Sequence, residues 1–395
     1  MVRSEKKSPL FSKKYLMGIS VNLMVCTFGQ MLMCAMPLLI AGGGHGIGYS
    51  GLAVSAFSFG AVLFRPITGW LASKLPGRKT VSFCLIFFSV SCLVLFCSPP
   101  LWLTIVFRAA QGIVMSIYGT IYGALVSYLI PSDRFQEGMG YYSIGVPAMS
   151  FLGPALGLVA IELAGERVMF LFLAFFTFAA AFICYRLDVR DEPVTPPLPK
   201  GETNLFRITF AGEAFFPSIM LMLVFVAHTS LVSFLSIFAA SRGYEGTTTF
   251  YLLAGAGIIA VRLVFTMIPF RLNEQTLIIP ALAALGVCTL VMAHLPQGIM
   301  LYCTALVYGC SLGIVQPGLI ADAIGRSPPE RRAAATATYY LALDLGAGVG
   351  GLLWAAVARA GGYIPVYYLA SVIIFTVMII LVFVPALRTA AEKAS

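Results

Sequence analysis

The sequence predicts an all-α integral membrane protein with twelve transmembrane helices in two pseudo-symmetric six-helix bundles. Three observations carry that expectation. The 395 residues are 59% hydrophobic and 10% charged, against roughly 25% charged in a soluble domain. Apolar stretches of spanning length recur along the whole chain. The chain also repeats itself at an offset of 197 residues, about half its length.

A helix rising about 1.5 Å per residue needs about 20 apolar residues to cross the hydrocarbon. Such stretches occur at 16–40, 51–72, 80–98, 101–130, 138–163 and 168–186, then at 215–239, 247–270, 276–295, 299–325, 333–359 and 364–385. The offset lays the first six on the second six. Gly60…Arg65 falls on Gly257…Arg262, Gly112 on Gly309, Gly153 on Gly350, and Pro131, Asp133, Arg134 on Pro328, Glu330, Arg331. Gly48-Tyr49-x-Gly51 returns as Gly243-Tyr244-x-Gly246. These marks divide the chain into a bundle over 1–186, a linker over 187–213 and a second bundle over 214–395. The linker holds Pro193, Pro196, Pro197 and Pro199, a composition that makes a semi-rigid spacer. Two embedded halves meeting along a seam form a transporter architecture, with the substrate at the seam.

The formal charge is +9, and its distribution decides its meaning. Nineteen of the 25 Lys and Arg lie on segments that share a side with the N-terminus. Three lie on opposite loops (Arg167, Arg242, Arg359) and three within helices (Arg65, Arg108, Arg262). This bias predicts a multi-pass protein of the cell (inner) membrane with both termini and the linker in the cytoplasm. It leaves no basic face with interleaved aromatics for nucleic acid. The first stretch exceeds the 7–15 residues or so of a signal-peptide core and has a counterpart at 215–239, so it reads as a helix. The nine cysteines sit in apolar stretches without metal-ligand spacing, as small buried hydrophobes do. No cofactor or metal is expected, and no G-x-S-x-G, H-E-x-x-H or Walker sequence points to an enzyme. Energy would then come from an ion gradient. The partners expected are a small-molecule substrate, protons and the lipid bilayer, around a monomer.

Local motifs sharpen the expectation. The segment after the second stretch reads Gly69-Trp-Leu71-Ala72-Ser73-Lys74-Leu-Pro-Gly77-Arg78-Lys79. It resembles the G-x-L-a-D-r-x-G-r-k signature of the major facilitator superfamily, with Ser73 in the place of Asp and one extra residue before Gly77. Phe270-Arg271-Leu272 occupies the equivalent place in the second half, where the signature has decayed. Arg108-Ala-Ala-Gln111-Gly112 matches the family's R-x-x-Q-G. The run through Gly145, Gly153, Pro154 and Gly157 resembles the antiporter signature of its exporting branches, with Met149 and Leu158 in the place of two glycines. Arg65-Pro66-x-x-Gly69 and Asp344-Leu345-Gly346 are similar to patterns of bacterial drug and metallophore exporters. The resemblance spans the chain and implies the fold of that superfamily.

A charge at the bilayer centre costs about 2.5–3.5 kcal/mol on insertion scales, so the deep ionisable groups need reasons. Arg65 and Arg262 are repeat-related. Facing the seam, they form a fork suited to an anion; the bland alternative is that each pairs with an acid or a helix end. Asp344 is a mid-helix carboxylate whose helical face carries Ala337, Tyr340, Gly348 and Gly351. It is the candidate for proton coupling, with a permanent Asp–Arg pair as the rival reading. Arg108, on a face with Gln111, Gly112, Met115, Gly119 and Tyr122, tunes that coupling or pairs structurally; the resemblance adds a part in proton transfer. His228 is a candidate proton relay or a satisfied core residue. Gln30, Tyr122, Gln316 and Tyr340 are candidate substrate-lining residues, and Asn22, Tyr118, Tyr142 and Tyr339 could line the same cavity. Asp133-Arg134 and Glu330-Arg331-Arg332 are expected to latch the two halves together.

The expected function is secondary transport by alternating access, as a proton-coupled antiporter exporting a small organic molecule of anionic, drug-like or metallophore character. A symporter importing a small anionic metabolite stays open, as does a membrane enzyme or lipid-handling protein without coupling.

Overall fold

The computed structural model describes residues 10–187, 210–267, 274–328 and 331–394. The linker prolines, Phe270-Arg271-Leu272 and Glu330 lie outside the described residues. The elements are α1 (Lys13–Ile40), α2 (Ile47–Ala72), α3 (Gly77–Phe96), α4 (Leu101–Ser127), α5 (Phe135–Arg186), α6 (Phe215–Thr229), α7 (Leu235–Ser241), α8 (Thr247–Met267), α9 (Glu274–Met292), α10 (Gly298–Gly325), α11 (Arg332–Gly361) and α12 (Tyr363–Ala394). No strand occurs among the described residues.

Twelve elements and twelve crossings coincide in number but not one to one. Ten helical stretches are long and apolar enough to cross a bilayer, and Leu277–Met292 is a shorter apolar helix. One of the ten, Ala148–Arg186, contains two crossings. Its helical hydrogen bonding runs on through a corner at Gly165, whose φ of 81° lies in the left-handed region. Glycine occupies that region without a Cβ penalty. Conversely α6 and α7 form one crossing, joined by a π-helical turn at Ser230–Phe234.

The duplication is written into the backbone at the end of the molecule remote from the start of α1. Left-handed residues fall there in three repeat-related pairs, with Gly298 (φ 56°) alone beside them. Gly165 matches Gly362 (φ 81° and 80°), Gly46 matches Gly243 (81° and 61°), and Ser98 matches Leu295 (50° and 47°). At 197 residues apart, each pair turns the chain at the same corner of its half.

Helix contacts repeat in the same way. α2 crosses α4, and α8 crosses α10; α1 packs on α5, and α6 on α11. At the first crossing Gly112 lies so close to Phe57 that a Cβ would overlap its carbonyl oxygen, and Gly309 lies likewise on Ala254. Phe57 and Ala254 are themselves 197 residues apart. Small residues let helix backbones approach where lipid supplies no hydrophobic drive to associate.

One apolar core is drawn from residues 10–187 alone. The second is built from the other half and receives three buried side chains from the first, Cys34, Phe151 and Ala155, with the partly buried Leu38, Ala41 and Leu158 packed against it. The halves meet where α2 packs on α11 and α5 on α8. Ser55 Oγ donates to the Gly348 carbonyl at 2.6 Å across that seam. Two contacts there are repeat images of each other: Gly348 sits against Ser58, and Gly255 sits against the Cβ of Phe151.

Arg331 departs from expectation. Rather than bridging the halves, it pairs with Glu213 at 3.3 Å and donates to the Phe210 carbonyl at 2.9 Å. The Ala211 amide donates to Thr338 Oγ1 at 2.9 Å. These bonds dock the segment before α6 onto the start of α11, within one half.

Candidate functional site

The stripe read on α11 is the face that meets the seam. Gly348 and Gly351 lie against Ser55, Ser58 and Gly51 of α2, which brings the α2 backbone close. One and two turns from Gly348, the same face carries Asp344 and Tyr340. Arg65 of α2 reaches Asp344 there, with Nη2 at 2.6 Å and Nε at 2.8 Å from Oδ2. The two side chains are 18% and 15% exposed. The Arg65 guanidinium also lies over the Tyr340 ring, 5.4 Å from its centroid.

Arg262 of α8 approaches the same place from the other half of the repeat, within electrostatic reach of Tyr339 and Tyr340. Tyr339 packs edge-on against Tyr340 and donates its hydroxyl to the Gln316 carbonyl at 3.1 Å. Tyr340 is 39% exposed. Tyr142 of α5 is in turn within electrostatic reach of Tyr340, and its carbonyl accepts from Asn22 Nδ2 at 3.3 Å. Tyr142 and Tyr339 are 197 residues apart. Two repeat-related pairs, Arg65 with Arg262 and Tyr142 with Tyr339, therefore converge on one place, and Asp344 breaks the symmetry. Its counterpart in the first half is Pro147. Arg65, held by Asp344, and Arg262 both lie near Tyr340.

Toward the remote end the seam is shut. Phe151 of α5 is fully buried and inserts among His228, Phe250, Tyr251 and Tyr308 of the second half, with centroids 5.5–6.4 Å away. Cys34 Sγ lies 3.5 Å from Ser236 Oγ and 4.0 Å from the Tyr251 hydroxyl. The polar site retains its exposure beyond this seal, nearer the end where α1 begins.

The other expected site residues fall in three places. Gln30 and the helix 5 signature belong to the packing of α1 on α5. Gly153 lies against Gln30 and Met31, Gly157 against Met31, and Gly145 against Asn22. Pro154 lies buried on the same helix.

Arg108 and Tyr122 lie within the first bundle, away from Asp344. Both are fully buried. Arg108 Nη1 donates to Gln111 Oε1 at 2.9 Å, and Nε to the Ala53 carbonyl at 3.4 Å. Its guanidinium covers the Phe57 ring at 4.6 Å. Gln111 passes the chain on to Ser91 Oγ at 2.8 Å. Tyr122 donates to the Gly18 carbonyl at 2.7 Å. The reason is rotational: Arg108, Gln111 and Gly112 share the face that α2 covers.

His228 sits at the remote-end seal, with Nδ1 3.0 Å from the Tyr308 hydroxyl. Tyr308 is the repeat counterpart of Gln111, so each half builds its polar knot at the same point of α4 or α10.

Arg108 carries its charge on neutral acceptors, which makes Gln111 critical. Gln111→Leu leaves a charged donor short of a partner in the core. Such an orphan costs about 1–3 kcal/mol or more. The variant is expected to melt several degrees lower in detergent while its ligand affinity is unchanged, checked by a thermal scan and equilibrium binding.

Tyr142 and Tyr339 stood in the sequence only among several aromatics that could line the cavity, and Phe151 carried no signal beyond its apolar stretch. The offset pairing of Tyr142 with Tyr339, read beside that of the arginines, was the available clue.

Comparison with known proteins agrees with this fold. The profile described as Major Facilitator Superfamily matches residues 19–350. The multi-drug resistance efflux pump PmrA of Streptococcus pneumoniae is 24% identical, over 89% of this chain and 92% of its own length. The staphylopine export protein of Staphylococcus aureus is 22% identical, over 85% of this chain and 88% of its own. Among solved structures, the nucleoside transporter NupG superposes with a TM-score of 0.72 at 14% identity, covering 93% of this chain and 98% of NupG. The human organic anion transporter MFSD10 gives 0.65 at 17%, covering 93% and 98%. These structures attest the fold, the profile covers most of the chain, and the protein is a multi-pass membrane transporter of the major facilitator superfamily.

Proposed function

We propose that this protein is a proton-coupled antiporter that exports a small amphoteric organic molecule, anionic overall, by alternating access. The observation that carries the reading is the Arg65–Asp344 pair, made across the seam between helices of different halves. A pair that spans two moving bodies is made or broken as they rock, so its protonation is tied to conformation. The efflux proteins among the relatives support the direction. The excess of Lys and Arg at the end where α1 begins supports a cytoplasmic position for that end. The polar site then takes its substrate from the cytoplasm.

The composition of the site narrows the cargo. Arg65 and Arg262 take acidic groups, by charge-assisted hydrogen bonds of fork geometry. Gln316 and Tyr340 supply the surrounding polar and aromatic surface, while Gln30 packs between α1 and α5. Antiport further requires that proton and cargo exclude each other. A purely anionic cargo does the opposite, because a proton on Asp344 frees Arg65 and invites the anion in. Exclusion follows if the cargo carries a cationic group that competes with the proton for Asp344. Arg108, Tyr122 and His228 then hold their bundles in shape, and Gly145, Gly153, Pro154 and Gly157 seat α1 on α5.

The same pair favours a second reading for a cargo without a cationic group, in which proton and anion travel together. Everted vesicles with a lumenal pH dye separate the two. Adding an amino-polycarboxylate is expected to alkalinise the lumen as protons leave in exchange. Lumenal acidification would establish symport, and labelled uptake with no pH change would sink proton coupling altogether.

A further inference from the structure

The transport reading leaves one groove of the first bundle unused. It measures about 480 Å³ and is lined by Phe11, Lys13, Leu16, Met17 and Ser20 at the start of α1 and Ile183 near the end of α5. That volume lies within the roughly 300–1,000 Å³ of small-molecule sites. None of these residues belongs to the seam. Lys13, Leu16, Met17 and Ser20 are spaced i, i+3, i+4, i+7, so they form one stripe on the helix. The stripe is turned outward: Phe11 is 52% exposed and Leu16 47%.

The start of α1, which bears most of the groove's lining, is fixed in place. Tyr15, between Lys13 and Leu16, is fully buried, and its hydroxyl donates to the Gly138 carbonyl at 2.5 Å. Phe11 packs edge-on against Tyr141 with centroids 5.3 Å apart. These contacts pin the start of α1 onto the start of α5.

Its chemistry changes along its length. α1 begins at Lys13 and α5 ends at Arg186, so both cations sit where helices leave the hydrocarbon. Lys14 is exposed beside Lys13, and Arg186 is exposed one turn beyond Ile183. Leu16, Met17 and Ile183 run inward from this basic rim. An apolar trough under a cationic rim complements a molecule with a hydrocarbon chain and a phosphate. In a bilayer-spanning protein the occupant at hand is lipid, and the sign of the rim selects its headgroup.

We propose that this groove binds one anionic glycerophospholipid, with its phosphate at Lys13 and an acyl chain along Leu16, Met17 and Ile183. The site acts on the bundle that carries Arg65 without contributing to cargo recognition.

Native mass spectrometry of the full chain, given equal amounts of phosphatidylglycerol and phosphatidylcholine, tests it. One phosphatidylglycerol is expected to stay bound per chain, several-fold in preference to phosphatidylcholine. Lys13→Gln is expected to reduce its retention about fivefold, the worth of one lysine near an anionic headgroup. Ser20→Trp, which fills the trough, is expected to displace both lipids. Equal retention of the two lipids by the wild-type protein would overturn the proposal whether or not a variant folds. Unchanged phosphatidylglycerol retention in both variants, with normal helicity, would overturn the location.

Discussion

Asp344→Asn is expected to abolish uphill transport while downhill exchange of the same cargo continues. The substitution keeps the size of the side chain and one carbonyl acceptor, so Arg65 retains a hydrogen-bond partner. It removes the charge and the proton-binding site. Breaking a buried pair by deleting one partner costs about 3–5 kcal/mol in a dry core. Here both side chains keep some exposure, and water reaching the site places the cost nearer the lower end. The protein is therefore expected to fold and to present a guanidinium with no anion beside it. Accumulation driven by a pH gradient in everted vesicles is expected to fall at least tenfold, whereas exchange at equal pH on both sides persists at saturating cargo, with a weaker affinity because the carboxylate that meets the cargo's cationic group is gone. Asp344→Glu keeps a titratable group and is expected to retain coupling at a lower rate. The double variant Arg65→Gln/Asp344→Asn removes both charges. It is expected to recover stability lost by the single variant without recovering coupling, which separates a folding defect from a coupling defect. Wild-type accumulation by Asp344→Asn would remove this carboxylate from the mechanism.

The architecture was legible in the sequence for a physical reason. Lipid forces every crossing to be a helix of about 20 apolar residues, and the duplication gave the second half as a copy of the first. Gly112 and Gly309 could be matched before either was seen to press on a carbonyl. The face of α11 was equally open to reading, since Asp344, Tyr340, Gly348 and Gly351 follow the helical period and do form the seam. Which partner each charge meets was not legible. Arg65 and Arg108 look alike on paper, as arginines in apolar helices that each follow a phenylalanine. One meets a carboxylate from the other half; the other meets a glutamine three residues along its own helix. Rotation of a helix about its axis decides between them, and that rotation is set by contacts remote in sequence. The corner at Gly165 was legible as well, because Glu166 and Arg167 interrupt the apolar run between 163 and 168; what the sequence did not show is that one left-handed glycine makes the turn, as Gly362 does at the repeat offset.

Gly112→Ala and Gly119→Ala, seven residues apart on α4, are expected to shift stability in opposite directions. In a helix interior alanine is better than glycine by about 0.8–1.0 kcal/mol. Nothing lies within 4 Å of a Cβ added at Gly119, so that gain is unopposed and the variant is expected to be neutral or slightly more stable. At Gly112 the Cβ overlaps the Phe57 carbonyl, whose carbon would be 2.7 Å away and the Ala61 nitrogen 3.0 Å. These are backbone atoms, so no side chain can turn aside. α2 itself must move, and it is held on its other face, where Ser55 bonds Gly348 and Gly51 lies against Gly351. Relieving the clash on α4 therefore strains the seam with α11. Overpacking typically costs about 1–3 kcal/mol, and a backbone clash between two fixed contacts belongs at the top of that range. Gly309→Ala repeats the experiment in the second half, with the Ala254 carbonyl carbon also at 2.7 Å. Both are expected to lower the melting temperature and the monodisperse fraction after detergent extraction, while Gly119→Ala does neither. A like response from all three would mean that the α2–α4 and α8–α10 crossings are looser than the repeated glycines require.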